Sequence, residues 1–329
     1  MNSEPIILVC AADNLFAMPL AVTVRSALEN LSRECCLKIY IIASGISPAS
    51  KAKIYSSVQS DRVEVEWIEI SSPEFKVALP QFGEITFSNL QKLSLSSRNA
   101  YPPSTYARLL IPHLLPSNLT KALYLDTDMI VEGDLAQLWK VDLREYLIAA
   151  VQESHVHYLH QLNYLDCDKF ALSSEAKHFN SGMMLLNLEK WRDNQIAEKC
   201  IQFILQYPEC ITGDQDALNV VLAGRWKEVS PCWNQLNGLY LSSSWKETPY
   251  SETEFNQALN HPSIIHFTDR PKPWMAKCIH PRRDLFFKYL DLTAWSGWRP
   301  TIANQSWNKA NRAIRKLQWK ANKMKLSQT

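Results

Sequence analysis

Three short apolar runs in the first seventy residues, Ile6 to Cys10, Leu37 to Ala43 and Val63 to Ile70, alternate with two stretches of helical spacing. Leu20, Val24, Ala27, Leu28 and Leu31 mark the first stretch, and Pro48 to Val58 forms the second. Strand, helix, strand, helix, strand with short links is the signature of an α/β fold with a Rossmann-like, mostly parallel sheet flanked by helices. Such sheets often bind nucleotides, but the usual phosphate loops are missing. There are only eight glycines, with no Gly-x-Gly-x-x-Gly and no Gly-x-x-x-x-Gly-Lys-Ser/Thr. Ordinary dinucleotide dehydrogenases and P-loop enzymes are thereby disfavoured, and phosphate would have to be held by a metal and basic side chains.

The segment Ala122 to Leu135 reads Ala-Leu-Tyr-Leu-Asp-Thr-Asp-Met-Ile-Val-Glu-Gly-Asp-Leu. Its first four residues have the composition of a buried strand, and Asp126 and Asp128 stand at the end of it. In extended chain, residues two apart point to one side, so both carboxylates would enter one small space. Their repulsion calls for a shared proton or a bound cation, and oxygen ligands favour hard ions such as Mg²⁺ or Mn²⁺. A turn or helix-capping role is the alternative, because Asp-x-Asp recurs at Asp166/Asp168 and Asp214/Asp216. The apolar context on both sides favours the first pair as the metal candidate. Ligands gather outside the carboxyl ends of parallel strands, which would bring Asp13, after the first strand, into the same crevice.

Further along, Thr105 to Leu114 has the composition of a helix. His155, His157, His160 and His178 suggest a polar rim more than a zinc site, since no Cys or carboxylate constellation accompanies them. Phe179-Asn180-Ser181-Gly182 leads into a strand from Met183 to Leu188, or is a simple turn before it. Asp214, in Gly213-Asp214-Gln215-Asp216, is a candidate N-cap for a helix over Ala217 to Leu222. Ser263 to Phe267 is a last core-like strand with His266 embedded in it. Arg270 and Lys272, interleaved with Pro271 and Pro273, follow as a basic loop suited to an anionic group.

A chain of 329 residues, 46% hydrophobic and 21% charged, has enough material for one large core. Its eight cysteines are scattered without a Cys-x-x-Cys pair, which fits reduced thiols in the cytosol. The N-terminus lacks the basic start of a signal peptide, and no run is long enough for a membrane span. From Leu292 onward there are eight basic residues and no acidic one, so the preceding body carries 27 basic against 33 acidic. The expected organisation is a domain over residues 1–290 and a basic tail over 291–329. Trp307, Ala310, Ile314, Leu317, Ala321 and Met324 repeat at three and four, as in a helix lying on an anionic membrane surface; nucleic acid is not an expected partner.

Several segments, taken in order, resemble glycosyltransferase family 8, most closely the bacterial lipopolysaccharide and lipooligosaccharide α-galactosyl- and α-glucosyltransferases. They are Ala-Ala-Asp-Asn at Ala11, Ser-Thr-Tyr-Ala-Arg-Leu at Ser104, Leu-Tyr-Leu-Asp-Thr-Asp at Leu123, Phe-Asn-Ser-Gly at Phe179, Asp-Gln-Asp at Asp214 and His-Phe-x-x-x-x-Lys-Pro-Trp at His266. The resemblance implies a GT-A architecture and retaining transfer of a hexose from UDP-galactose or UDP-glucose to a saccharide or glycolipid acceptor. It also implies Mn²⁺, or Mg²⁺, on Asp126, Asp128 and His266; imidazole beside carboxylates suits Mn²⁺ better. By the same resemblance Lys272 binds the diphosphate, Asp13 and Ala11 the nucleoside, Thr127 the donor beside its flanking aspartates, and Arg108 the sugar or its phosphate. Asn180, Asp214 and Gln215 line the hexose, with Gln215 nearest the anomeric carbon and, with Asp214, assigned to catalysis. Glu153 stands where relatives carry Asp, and Leu15 where they place Asn. The implied location is the cytoplasm, peripherally on the inner face of the cytoplasmic membrane. Rival readings are a non-catalytic membrane-associated binding protein on a degenerate transferase fold, a self-glucosylating primer and a haloacid-dehalogenase-like phosphatase. The last needs a Thr or Val where this chain has Ile130.

Overall fold

The computed structural model describes residues 4–80, 82–96 and 101–301. Its strands are β1 (Ile6–Asp13), β2 (Leu37–Ser44), β3 (Val63–Glu69), β4 (Lys76–Leu79), β5 (Gly83–Thr86), β6 (Lys121–Leu125), β7 (Met129–Val131), β8 (Ile148–Gln152), β9 (Phe179–Asn187), β10 (Trp226–Glu228), β11 (Gln235–Leu236) and β12 (Ile264–His266). Seven of them form one sheet in the order β10-β8-β9-β6-β1-β2-β3. All neighbours run parallel except β9, which is antiparallel to both β6 and β8. The α/β class and mostly parallel sheet expected from the sequence are thus met. Alternation along the strands splits the interior in two: Val9, Tyr124 and Met184 join the cluster on one face, and Leu8, Leu123 and Leu185 the cluster on the other.

A smaller sheet, β11-β12-β7, packs beside the first, with β7 at its edge. An exposed edge would leave backbone groups unpaired. Here three polar residues of the helix Ala17–Glu29 and its C-cap supply partners. The Thr23 hydroxyl donates to the Met129 carbonyl at 2.8 Å, Val131 N donates to the Ser26 hydroxyl at 2.9 Å, and Asn30 Nδ2 donates to the Val131 carbonyl at 2.9 Å. This accounts for buried polar side chains on an otherwise apolar helix face.

Two local expectations are revised. The helix expected over Thr105 to Leu114 is broken into Pro103–Ala107, a 3₁₀ turn Arg108–Leu110, and Ile111–Leu114. Pro112 has no N–H for the Arg108 carbonyl four residues back, which instead accepts from Ile111 N, tightening that turn. The second concerns Phe179-Asn180-Ser181-Gly182, which lies inside β9 and not before it. The β8–β9 register jumps from Ala149 opposite Leu185 to Val151 opposite Asn180, so β9 bulges there.

After the helix Arg283–Leu290, residues 291–301 return onto the body. Ala294 N donates to the Ser57 hydroxyl at 2.9 Å, and Arg299 pairs with Asp291 at 2.7 Å. The amphipathic helix expected between Trp307 and Met324 lies outside the described residues. No helix among the described residues is long and apolar enough to cross a membrane.

Candidate active site

Sheet order reverses direction at β1, whose neighbours are β2 on one side and β6 on the other, and a cavity of about 890 Å³ opens at the carboxyl ends of these strands. Ala11, Asp13, Arg108, Asp126, Thr127, Asp128, Glu153, Asn180, Asp214, Gln215, His266 and Lys272, the whole set singled out from the sequence, line this one cavity.

Asp126 and Asp128 follow the end of β6, as expected, but in a turn to β7 and not in extended chain, because the chain passes there from the large sheet to the small one. The antiparallel pairing of β7 with β12 sets His266 opposite Met129, which brings the imidazole beside Asp128. His266 Nε2 lies 3.2 Å from Asp128 Oδ1 and 3.7 Å from Asp126 Oδ2. One ligand atom from each of Asp126, Asp128 and His266 falls within 4.8 Å of the others, the only such group of three among the described residues. Neither of the other two Asp-x-Asp pairs forms such a group. Asp166 accepts from Lys169 N, and Asp216 accepts from the Thr212 backbone and hydroxyl and from the Tyr164 phenol.

Three groups hold the carboxylates. The Tyr124 phenol donates to Asp126 Oδ1 at 2.7 Å, and Arg108 Nη2 reaches the same oxygen at 3.1 Å. Lys272 Nζ lies 2.7 Å from Asp128 Oδ2 and donates to the Thr268 and Phe267 carbonyls. Burial works against ionised Asp128, but Lys272 and His266 outweigh it and hold the carboxyl below the usual carboxylate range. Gly182 leaves room for this arrangement. A Cβ there would stand 2.3 Å from His266 Cε1 and 2.9 Å from Asp126 Oδ2.

Arg108 ties the two halves of the site together. Its guanidinium lies over the Tyr124 ring and donates to the Ser181 carbonyl at 3.0 Å. Its Nε is 2.8 Å from Asp214 Oδ2, but that N–H is aimed at the Thr105 carbonyl, so the Asp214 contact is one of charge and not a hydrogen bond. Burial disfavours the cation, yet Asp126 and Asp214 hold it firmly protonated. Burial also pushes the Asp214 carboxyl up to about 6, against the pull of Arg108. Asp214 is therefore the first residue of the helix Asp214–Val221 facing an arginine; the cap position expected for it belongs to Gly213.

Gln215 is fixed at both ends of its amide. Its Oε1 accepts from Ser181 N at 3.0 Å and the Ser181 hydroxyl at 3.2 Å, and its Nε2 lies 3.3 Å from His178 Nε2. His178 Nδ1 lies 3.1 Å from the Val156 carbonyl, which can only accept, so Nε2 is the acceptor for the Gln215 amide. Two others of the expected rim also meet the backbone, His157 at the Ser154 carbonyl and His160 at that of Ser174, while His155 lines the cavity. Sequence reading passed over Tyr124, Ser181 and Asn234, which carry no charge and hold the charged residues in place. Tyr124 alone had a local signal, two positions before Asp126 on the same strand face.

The family model "Glycosyl transferase family 8" matches residues 7–278, and the chain belongs to that family. It is 31% identical over 304 residues to General stress protein A of Bacillus subtilis, covering 91% of this chain and 96% of that protein. Glycosyltransferase GlyF of Streptococcus pneumoniae is 26% identical over 88% of this chain, which spans 62% of GlyF. In fold, the crystal structure of galactosyltransferase LgtC in complex with donor and acceptor sugar analogs superposes with a TM-score of 0.71 at 22% identity, covering 88% of this chain and 96% of that one. The protein is thus a glycosyltransferase by family, built on the GT-A type of fold.

Proposed function

We propose that the protein is a retaining hexosyltransferase that moves galactose or glucose from a UDP-sugar to a saccharide acceptor, with a divalent ion at the diphosphate. The observation that carries this reading is the convergence of Asp126, Asp128 and His266 on the floor of the cavity. Ligand atoms about 2.1 Å from one ion lie up to roughly 4.2 Å apart, so the present spacing needs only a small contraction to hold one. Two carboxylates and an imidazole suit Mn²⁺ better than Mg²⁺. The ion supplies positive charge against the negative charge that builds on departing UDP.

The chain's own residues do the rest. Lys272, which neutralises Asp128 here, adds a second positive charge for the leaving diphosphate. Asp13 and Ala11 stand at the end of β1, on the side of the cavity assigned to the nucleoside. Asn180, Asp214 and Glu153 offer polar groups to the hexose hydroxyls, and Gln215 is assigned to the anomeric carbon. Because Gln215 Oε1 already accepts two hydrogen bonds from Ser181, its lone pairs are engaged. That supports a same-face course, in which the departing phosphate oxygen takes the proton of the incoming acceptor hydroxyl as the new glycosidic bond forms. A cell-surface glycan such as lipopolysaccharide as the acceptor, and binding of the basic tail over 291–329 to the inner face of the cytoplasmic membrane, belong to the same proposal. They rest on the resemblance and on the tail's basic sequence.

Thermal unfolding with UDP, in Mn²⁺ and in EDTA, is the test. A ligand at 100 times its dissociation constant stabilises the native state by about 2.7 kcal/mol. A rise in Tm that needs both UDP and Mn²⁺ supports the reading and leads to a donor screen with the product's anomeric configuration read by NMR. No rise in any combination overturns it in favour of a non-catalytic binding protein.

A further inference from the structure

Four side chains far apart in sequence form a continuous line from the sugar side of the cavity to the candidate metal ligands. Glu153 Oε2 accepts from Asn180 Nδ2 at 3.1 Å. Asn180 Oδ1 accepts from Asn234 Nδ2 at 3.0 Å, and Asn234 Oδ1 lies 2.9 Å from His266 Nδ1. Asn234 is fully buried, in the short 3₁₀ turn Pro231–Asn234 just before β11. Nothing in its local sequence points to the site.

The line has a direction, and each link dictates the next. Ionised Glu153 has no hydrogen to give, so Asn180 must turn its NH₂ toward it. The backbone N–H of Gly182 donates to Asn180 Oδ1 at 3.0 Å, and a backbone N–H has no other role, so the same orientation is fixed a second time. The Asn180 oxygen then requires the NH₂ of Asn234. The remaining end of Asn234 is an oxygen, and an oxygen facing an imidazole nitrogen requires that nitrogen to carry the hydrogen. Nδ1 of His266 therefore carries a hydrogen that it keeps; Nε2, which meets the Asp128 carboxylate here and lies near Asp126, is the nitrogen that would exchange its hydrogen for a metal.

We infer that Asn234 is a positioning residue that sets the His266 tautomer and ring orientation, and so links occupancy of the sugar side of the cavity to the metal side. The inference rests on the assignment of a divalent ion to Asp126, Asp128 and His266. Its chemistry is the familiar one of an outer partner holding a ligating histidine, whose loss typically weakens metal binding about 10–100-fold. Here the partner is a neutral amide whose own orientation is dictated from the sugar-binding end.

The test uses the full chain with Mn²⁺ as the probe, its free concentration read by electron paramagnetic resonance, so that no turnover is needed. Asn234→Leu, close in volume and without polar atoms, removes both hydrogen bonds and is expected to weaken Mn²⁺ binding about 10–100-fold. Asn234→Asp still accepts from His266 Nδ1 and is expected to bind Mn²⁺ within a few-fold of wild type. It loses the NH₂ that meets Asn180, so it should raise the donor KM at saturating Mn²⁺ more than it lowers kcat. Wild-type affinity in folded Asn234→Leu overturns the inference. Should that variant not fold, ¹⁵N NMR of the wild-type histidines decides the matter without a substitution: His266 must carry its hydrogen on Nδ1, and a bare Nδ1 overturns the inference. Wild-type protein that binds no Mn²⁺ refutes the metal assignment instead, and leaves the NMR result to judge the hydrogen-bonded line separately.

Discussion

Replacing Gly182 by alanine adds a single methyl group at the most confined point of the site. The backbone there is extended β9, so alanine carries no conformational penalty and the whole effect comes from space. The new Cβ would lie 2.3 Å from His266 Cε1, where ordinary contact begins at 3.4 Å, so the ring or the strand must yield by about 1 Å. The ring cannot swing freely, since Asn234 holds Nδ1 at 2.9 Å, and Asp126 Oδ2 stands only 2.9 Å from the same methyl on the other side. Metal–ligand distances tolerate shifts of about 0.2 Å, several times less than the displacement required. Overpacking of this kind costs about 1–3 kcal/mol of stability, which a folded domain of this size survives with a lowered Tm. Gly182→Ala should therefore stay folded, lose at least ten-fold in Mn²⁺ affinity, and lose the Mn²⁺-dependent part of its stabilisation by UDP. Mn²⁺ titration by electron paramagnetic resonance, paired with thermal melts, measures both quantities on one sample. A folded Gly182→Ala protein with wild-type Mn²⁺ affinity would refute the idea that His266 and Asp126 are fixed around an ion.

Asp128→Asn removes a candidate ligand and leaves Lys272 without its carboxylate; transfer from UDP-sugar should vanish in a discontinuous assay, and full activity would sink the metal assignment. Arg108→Met strips the buried cation from Asp126 and Asp214, and loss of one partner of a buried pair typically costs about 3–5 kcal/mol. Urea unfolding should show that loss, and a change below about 1 kcal/mol would mean the cation is not needed there. Burial, with Arg282 adding to it, pulls the His280 imidazole from an ordinary 6.5 down to about 4, between the rings of Phe267 and Tyr240. The unfolded chain binds the extra proton between those values, so the neutral ring's contribution is complete above about 6.5 and is lost as pH falls toward 4. Undiluted it amounts to roughly 3 kcal/mol, reduced to about 1–2 by solvent around a partly exposed ring; His280→Phe should flatten the acid limb of the stability curve, and an unchanged limb would refute the assignment.

Sequence pattern located the frame of this site because strands buried on both faces write themselves as apolar runs, as in Ile6 to Cys10 and Ala122 to Leu125. Asp126 and Asp128 stood out because charges in such surroundings need partners. What stayed hidden depended on register and on neutral groups. The bulge in β9 that carries Asn180 and Ser181 to the cavity has no local signature, since a bulge is a mismatch between two strands and not a property of one. Asn234 was invisible because its partners lie 32 and 54 residues away. Local sequence offered Asp214 as a candidate cap, and only the resemblance put it in the site, because the rule that favours aspartate at a helix start says nothing about an arginine arriving from another segment. The break at Arg108 was in principle legible, since Pro112 cannot donate to the carbonyl four residues before it.

The reversed direction of β9 has a consequence of its own. In a sheet whose strands all run one way, each connection must travel the length of a strand before the next can begin. Here β8 leaves the sheet at the cavity and β9 enters it at the same end, so residues 153–178 form a loop with both feet on the rim. That loop contributes Glu153, His155, Val156, Leu162, Tyr164 and His178 to the cavity wall, while the turn between β6 and β7 and the end of β12 furnish its floor. Length and composition of the roof can therefore drift without sliding any strand against its neighbours. The architecture thus separates the candidate metal group, held between two sheets, from a rim whose shape is set by one loop alone.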